Sequence, residues 1–450
     1  ISTDNSSFAD SVTLSESGGS VGSTTIHARL KSGLTTGSYS GNITASSTNA
    51  TSQTISLSGS VAGPTISVGS AITGLNYAGS GPSTSQSTTV SGSALLANIT
   101  LNAPTNFEIS TNNSDFYDSV TLTQSGGSVS STTIHARLKS GLTTGSYSGN
   151  ITCNTTSGQE QTISLSGAVY VDANGDGNPD NFYVDASGSN SNDGLSSSTP
   201  FSTVAYAISQ AVDGAGVTIN IAAGTYTEED VQVNKSNITI DGAGTSTIFD
   251  GDYNDRFMTI VANTVTVSDM LIKEYGHQSG LSNTQGGGAI RIGGIADGST
   301  SSYTTSYNGI NINDVTFQDN YVNASSGDGG AIELVKISNS STIAVNITGC
   351  IFKGNKAGTS SVSSDLYNGG AIKLDKGSDV SITNSLFYEN RCRGKGAGIA
   401  NYNYGEVDII NCTFSDNISN SSDGAIYGES DSVIVLRNSI IYNTTSNGSS

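Results

Sequence analysis

"NGGAIKLDKGSDVSITNSLFYEN", residues 368–390, decides how the second half of the chain folds. It opens on Gly-Gly-Ala-Ile and closes on Phe-x-x-Asn, and both phrases return. The first stands as GGAI at 287–290, 329–332 and 369–372, as GAGI at 396–399 and as DGAI at 423–426. The second stands as FQDN at 317–320, FKGN at 352–355, FYEN at 387–390 and FSDN at 414–417, ending in IIYN at 440–443. From Ile372 to Ile399 to Ile426 the interval is 27 residues, which sets the shortest repeat.

A unit this short cannot bury an apolar face alone, so successive units stack as coils, with parallel strands ~4.8 Å apart. The recurring Ile and Phe then point inward and form columns. The glycines before Ile allow a close turn, and Asn tolerates the left-handed conformation. Stacked Asn320, Asn355, Asn390, Asn417 and Asn443 can hydrogen-bond along the axis as a ladder. Longer intervals elsewhere place insertions at about 293–308, 334–342 and 357–368, where a solenoid presents recognition loops.

Ahead of these repeats stands "NFYVDASGSNSNDGLSSSTPFSTVAYAISQA" (181–211). Its last part predicts a helix from about Ser202, with Val204, Ala207, Ile208 and Ala211 on one apolar stripe that caps the open end of the coil stack. The stretch resembles the entry segment of secreted right-handed parallel β-helix proteins. "VTINIAAGTYTEEDVQVNKSNITIDGAGTSTIFDG" (217–251) is similar to first coils of the pectin-lyase-like superfamily. The paired GGAI and FxxN phrases resemble the repeats of chlamydial polymorphic membrane proteins and other bacterial surface β-helices. The resemblance covers residues 182–450 and implies a right-handed parallel β-helix continuing beyond 450, on a secreted or cell-surface protein.

The first 169 residues repeat differently. "SGGSVGSTTIHARLKSGLTTGSYSGNIT" (17–44) returns as "SGGSVSSTTIHARLKSGLTTGSYSGNIT" (125–152), an ungapped offset of 108 residues. One unit thus spans 62–169, and 1–61 match the back part of a preceding copy, with further copies expected upstream. "TTIHARL" alternates, placing Ile134, Ala136 and Leu138 on one face and Thr133, His135 and Arg137 on the other. L-x-x-G-x-Y-x-x-x-I resembles the tyrosine corner of immunoglobulin-like sandwiches, with Tyr39 and Tyr147 in that role. His27 and His135 read as solvent-facing strand residues. Such tandem copies resemble the Ig-like repeats of very large bacterial surface proteins, where they act as stalks. The expected order is all-β: a partial sandwich at 1–61, a whole one at 62–169, an Asp-rich linker at 170–181 and the β-helix at 182–450.

Lys and Arg number 17 against 37 Asp and Glu, a formal charge of −20. Nucleic acid and anionic membrane surfaces both reward clustered cations, so neither suits this chain. No apolar run approaches the ~20 residues of a membrane span. Cys153, Cys350, Cys392 and Cys412 match no disulfide framework or zinc motif. Cys350 and Cys412 precede Phe by two residues in coils separated by one, ~9.6 Å apart and too far to bridge.

Between the halves, "VYVDANGDGNPDNFYVDA" (169–186) carries D-x-N-x-D-G-x-x-D. Asp172, Asn174, Asp176 and Asp180 offer oxygens at alternate positions, which suits structural Ca²⁺; the other reading is an Asx-rich turn without an ion. Catalysis would need converging acids and a base. The nearest material is "FDGDYNDRF" (249–257), with Asp250, Asp252, Asp255 and Arg256, then Glu274 and His277; it reads equally as a turn between coils. Asp328 and Asp375 stand alone and read as solvated. "DSV" at 10–12, 118–120 and 431–433 resembles an O-glycosylation sequon of Gram-negative secreted proteins, naming Ser11, Ser119 and Ser432.

These readings favour a secreted, cell-surface adhesin-like or filamentous segment, exported by Gram-negative secretion machinery. Its β-helix would meet glycans or other surface proteins. The alternatives are a β-helix polysaccharide lyase or hydrolase and a purely structural spacer.

Overall fold

A computed structural model describes residues 1–156, 158, 160–276, 286–294, 306–322, 327–335, 342–358, 367–375, 377–402, 404–421, 423–429 and 431–446. The interiors of the three expected insertions (295–305, 336–341 and 359–366) lie outside these residues, as does His277. The chain is all-β, with a single α-helix, Val204–Gln210, among the described residues. It divides into two compact units: 1–75 with 84–139 and 148–166, and 76–83 with 140–147 and 167–450.

Within residues 62–169 one sheet orders Thr65–Val68, Gln86–Ser93, Val129–Leu138 and Phe107–Ser110, all antiparallel. A second, five-stranded sheet includes Ile99–Asn102, Ser119–Leu122, Gly145–Asn154 and Gln161–Tyr170. The period-two pattern explains the strands: Ile134, Ala136 and Leu138 are fully buried while Thr133 is exposed. The Tyr147 hydroxyl donates to the Thr143 carbonyl at 2.7 Å, and Tyr39 repeats this to Thr35 at 2.7 Å. The first copy keeps the hairpin Gly37–Ala45 with Gln53–Val61, but Leu30, Ile55 and Leu57 are exposed where Leu138, Ile163 and Leu165 are buried.

The second unit is built on parallel sheets. Asn181–Val184 pairs in parallel with Val217–Ile221, which pairs with Ile238–Asp241. The helix starts at Val204, with the Thr203 side chain accepting the Tyr206 amide, so it begins later than expected. The Glu228 carboxylate accepts the Val204 and Ala205 amides at 2.7 and 2.9 Å and closes the first turn. Val204, Ala207, Ile208 and Ala211 are buried as one stripe.

From there coils lie one on the next in parallel sheets of 15, 7 and 5 strands. Ile290, Ile332, Ile372, Ile399 and Ile426 stand in register on the seven-stranded sheet. Phe317, Phe352, Phe387 and Phe414 stand in register on the longest sheet, with centroids 4.9, 4.6 and 4.6 Å apart and rings within 8° of parallel. The rung spacing imposes this stack, since each ring repeats at the strand separation. Burying each Phe contributes about 1.5–3 kcal/mol. The glycines are needed for close approach: a Cβ on Gly330 would lie 2.2 Å from the Gly370 carbonyl oxygen.

The ladder comprises four asparagines. Asn320, Asn355, Asn390 and Asn417 are each 0% exposed, and each of the first three donates Nδ2 to the next Oδ1 at 2.9–3.0 Å. Each Oδ1 of the last three also accepts the backbone amide of the Asn before it, at 3.0–3.1 Å. Asn443 is not a member. Ile441, not Ile440, pairs with Phe414, so Asn443 occupies the left-handed turn position of Asp416 (φ 46°), is exposed, and bonds to Asp416. Matching IIYN to FxxN by letters shifted the register by one residue. Cys350 and Cys412 are free and buried, and the Ser385 backbone is hydrogen-bonded to Thr413 on the rung between them. Among the described residues no helix is long and apolar enough to cross a membrane.

Candidate functional site

The seven-stranded sheet places the site. Its strands are three residues long, so the flanking residues point inward and the middle one points out. Read along the axis, the middle residues are Gln232, Thr259, Arg291, Glu333, Lys373, Ala400 and Tyr427, each in register with the next. Arg291, Glu333 and Lys373 alternate in charge on adjacent rungs, the favourable cross-strand arrangement.

This outward row is recessed. Arg291 is 8% exposed and Glu333 7%. Lys373 Nζ lies 3.0 Å from Asp328 Oδ2 and 3.6 Å from Glu333 Oε1. Asp328 Oδ1 accepts the Asn368 backbone amide at 2.6 Å and its Nδ2 at 3.4 Å. Arg256 enters from the preceding turn and donates Nε and Nη2 to the Gly287 and Gly286 carbonyls, both at 2.9 Å.

Burial governs the titration of these groups. It pushes Arg256 down to about 10, helped by the neighbouring Arg291 guanidinium and opposed by Glu333. Burial also lowers Arg291, with Glu333 acting against it. Asp328 is raised, chiefly by burial and further by Glu333, despite the opposing Lys373 and Asn368 amide. Burial alone would lower Lys373, but Glu333 and Asp328 raise it above the ordinary lysine value. Two acids around one amine hold protons between them.

Several polar atoms here are shielded from solvent yet unpaired among the described residues: Thr259 Oγ1, Arg291 Nε and Nη1, and Glu333 Oε2. They fall on three consecutive rungs. Leaving a buried donor or acceptor unpaired costs about 1–3 kcal/mol, and native structures rarely tolerate it without a use. Farther along, Tyr427 and Tyr402 lie 5.1 Å apart between ring centroids. Lys395 Nζ sits 4.4 Å from the Tyr427 centroid and donates to its hydroxyl at 3.2 Å.

The acids expected at 250–255 do not converge. Asp250 pairs with Lys273 at 2.6 Å, and Lys273 also reaches Glu274 at 3.4 Å. Asp252 and Tyr253 adopt positive φ in a turn, with the Asp252 amide donating to Asp250, and Asp255 accepts the Arg256 amide at 2.7 Å. Of the four candidates only Arg256 reaches the row. Asp328, expected to be solvated, is buried and paired with Lys373, because the next coil brings an amine opposite it. Arg291, Glu333 and Lys373 were missed; writing the GGAI-x-(I/L) phrases one beneath another would have exposed them as one column.

In the Asp-rich loop each expected ligand accepts backbone amides. Asp172 takes Gly175, Asp176 and Gly177; Asn174 takes Asp176; Asp176 takes Asn178; Asp180 takes Ala173. The bonds of Asn174 and Asp176, each to the amide two residues on, are Asx turns, while those of Asp172 and Asp180 span three to seven residues. Among the described residues no three His, Cys, Asp or Glu side chains gather as a metal site. Ser11 is exposed, while the Ser119 and Ser432 hydroxyls donate to the Leu101 and Glu429 carbonyls at 2.9 and 2.7 Å.

An all-β chain whose long parallel sheets stack coil on coil, with a recessed polar row on one outer face, fits a parallel β-helix. No protein-family model matches the chain, and no curated protein does.

Proposed function

We propose that this chain is a segment of a secreted, surface-attached protein in which Ig-like repeats serve as a stalk and a right-handed β-helix binds glycan lengthwise on its seven-stranded sheet. One observation carries the reading: Thr259, Arg291 and Glu333 stand in register on three consecutive rungs of one sheet face, each with a polar atom that has no partner among the described residues. A sugar chain offers hydroxyls and ring oxygens at short regular intervals, matching donor and acceptor alike. The tyrosines at 402 and 427 extend the row with apolar ring surface and polar tips. Binding of the full chain to a glycan array tests this. Arg291→Ala should abolish the strongest signals while leaving the circular dichroism spectrum unchanged; an array blank for the wild-type chain sinks the proposal.

A second reading has its own support. Asp328 and Glu333 both face Lys373, so two carboxyl groups and an ammonium meet at one point. That set favours cleavage of a bound polysaccharide over binding alone. Release of shortened products from array-positive glycans, lost in Lys373→Ala, would establish it.

A further inference from the structure

Lys373 and Asp328, with Glu333 beside them, form a pair that glycan binding leaves unexplained. Their side chains are only 14, 13 and 9% exposed. The Lys373 nitrogen lies 3.0 Å from Asp328 Oδ2, an oxygen bonded directly to the Cγ it would attack. The other oxygen of that carboxyl accepts the Asn368 backbone amide at 2.6 Å, which polarises the carbonyl and would stabilise negative charge developing on it. Glu333 Oε1 lies 3.6 Å from the same nitrogen, and Glu333 Oε2 has no partner among the described residues. Nucleophile, activated carbonyl and proton carrier are therefore in place together.

We infer that Lys373 and Asp328 condense spontaneously into an intramolecular amide, a covalent staple between two coils of the stack. The Lys373 ammonium gives a proton to Glu333, and its free amine attacks Cγ of Asp328. A nitrogen–carbon bond forms. Glu333 returns the proton to an oxygen of Asp328, the second proton lost by the nitrogen follows by the same route, and that oxygen leaves as water. One ammonium and one carboxylate become one amide and one water, so charge and atoms balance, and no oxidant or co-reactant takes part. Burial favours the step, because it disfavours the separated ions and raises Asp328 toward its neutral acid form. Glu333 and Asp328 together hold the proton on Lys373, and Glu333 is the one of the two that takes it up.

The staple does not depend on glycan binding, so the two fail separately. The test is the intact mass of the full chain, denatured and reduced. The expected mass is one water below that of the sequence, with a tryptic product joining the peptides of Lys373 and Asp328. Lys373→Ala and Asp328→Ala should each return to their own full sequence mass, and Glu333→Gln should slow or stop the loss. A wild-type chain at full sequence mass overturns the inference, and so does a link from Lys373 to Glu333. Because the wild-type measurement is made on denatured chain, it stands even where a variant fails to fold.

Discussion

Replacing Asn355 by Ala removes one member from the middle of the ladder. Asn355 Oδ1 accepts the Asn320 backbone amide at 3.1 Å and Asn320 Nδ2 at 3.0 Å, and its own Nδ2 donates to the Phe317 carbonyl at 2.9 Å and to Asn390 at 3.0 Å. Asn390 Oδ1 keeps the residue 355 backbone amide. The substitution therefore orphans two groups, the Asn320 amide and one Asn320 Nδ2 hydrogen, while the Phe317 carbonyl stays in the parallel ladder with the next rung. At about 1 kcal/mol each, the low end for a buried unpaired group, the loss is about 2 kcal/mol. Coils couple chiefly to their neighbours, so the loss should concentrate near Asn320, Asn355 and Asn390. Native-state hydrogen exchange reads it as faster exchange of the amides at 315–322 and 386–392. The control is Asn443→Ala, an exposed position expected within about 0.5 kcal/mol of wild type. Equal effects of the two substitutions would refute the ladder as a source of stability.

Two further predictions concern the coil geometry and the cap. A Cβ on Gly370 would lie 2.3 Å from the Ala397 carbonyl oxygen and 2.6 Å from that of Arg391, so Gly370→Ala should cost about 3 kcal/mol by chemical denaturation; Gly424, whose nearest neighbour is 3.6 Å away, should accept Ala almost freely. Burial raises the Glu228 carboxyl above its ordinary value, against the helix amides it accepts. The folded chain therefore keeps a proton that the unfolded chain releases above about pH 4.3, and this contribution is lost as pH rises through the folded value. Relative to Glu228→Gln, the wild type should gain stability on going from pH 7 to pH 4.5; a constant difference between the two would contradict the sign.

The columns were legible because inward residues recur as letters: Ile of GGAI and Phe of FxxN fix both spacing and register. Asn443 shows the limit of such matching. Register follows strand pairing, and in the last coil the partner of Phe414 is Ile441, one place later than the letters indicate. The charged row was illegible for the opposite reason. Arg291, Glu333 and Lys373 are different letters at one structural position, and only stacking makes them neighbours. Arg256 belongs to a string that is a turn by composition, yet its long side chain leaves the turn for the Gly286 and Gly287 carbonyls.

The site itself is tested most directly by hydrogen exchange of the full chain with and without its tightest array glycan. The account predicts slowed exchange at Met258–Ile260, Ile290–Ile292 and Ile332–Leu334, the rungs that carry Thr259, Arg291 and Glu333. Protection confined to residues 62–169, or to the sheet that carries the Phe column, would contradict it.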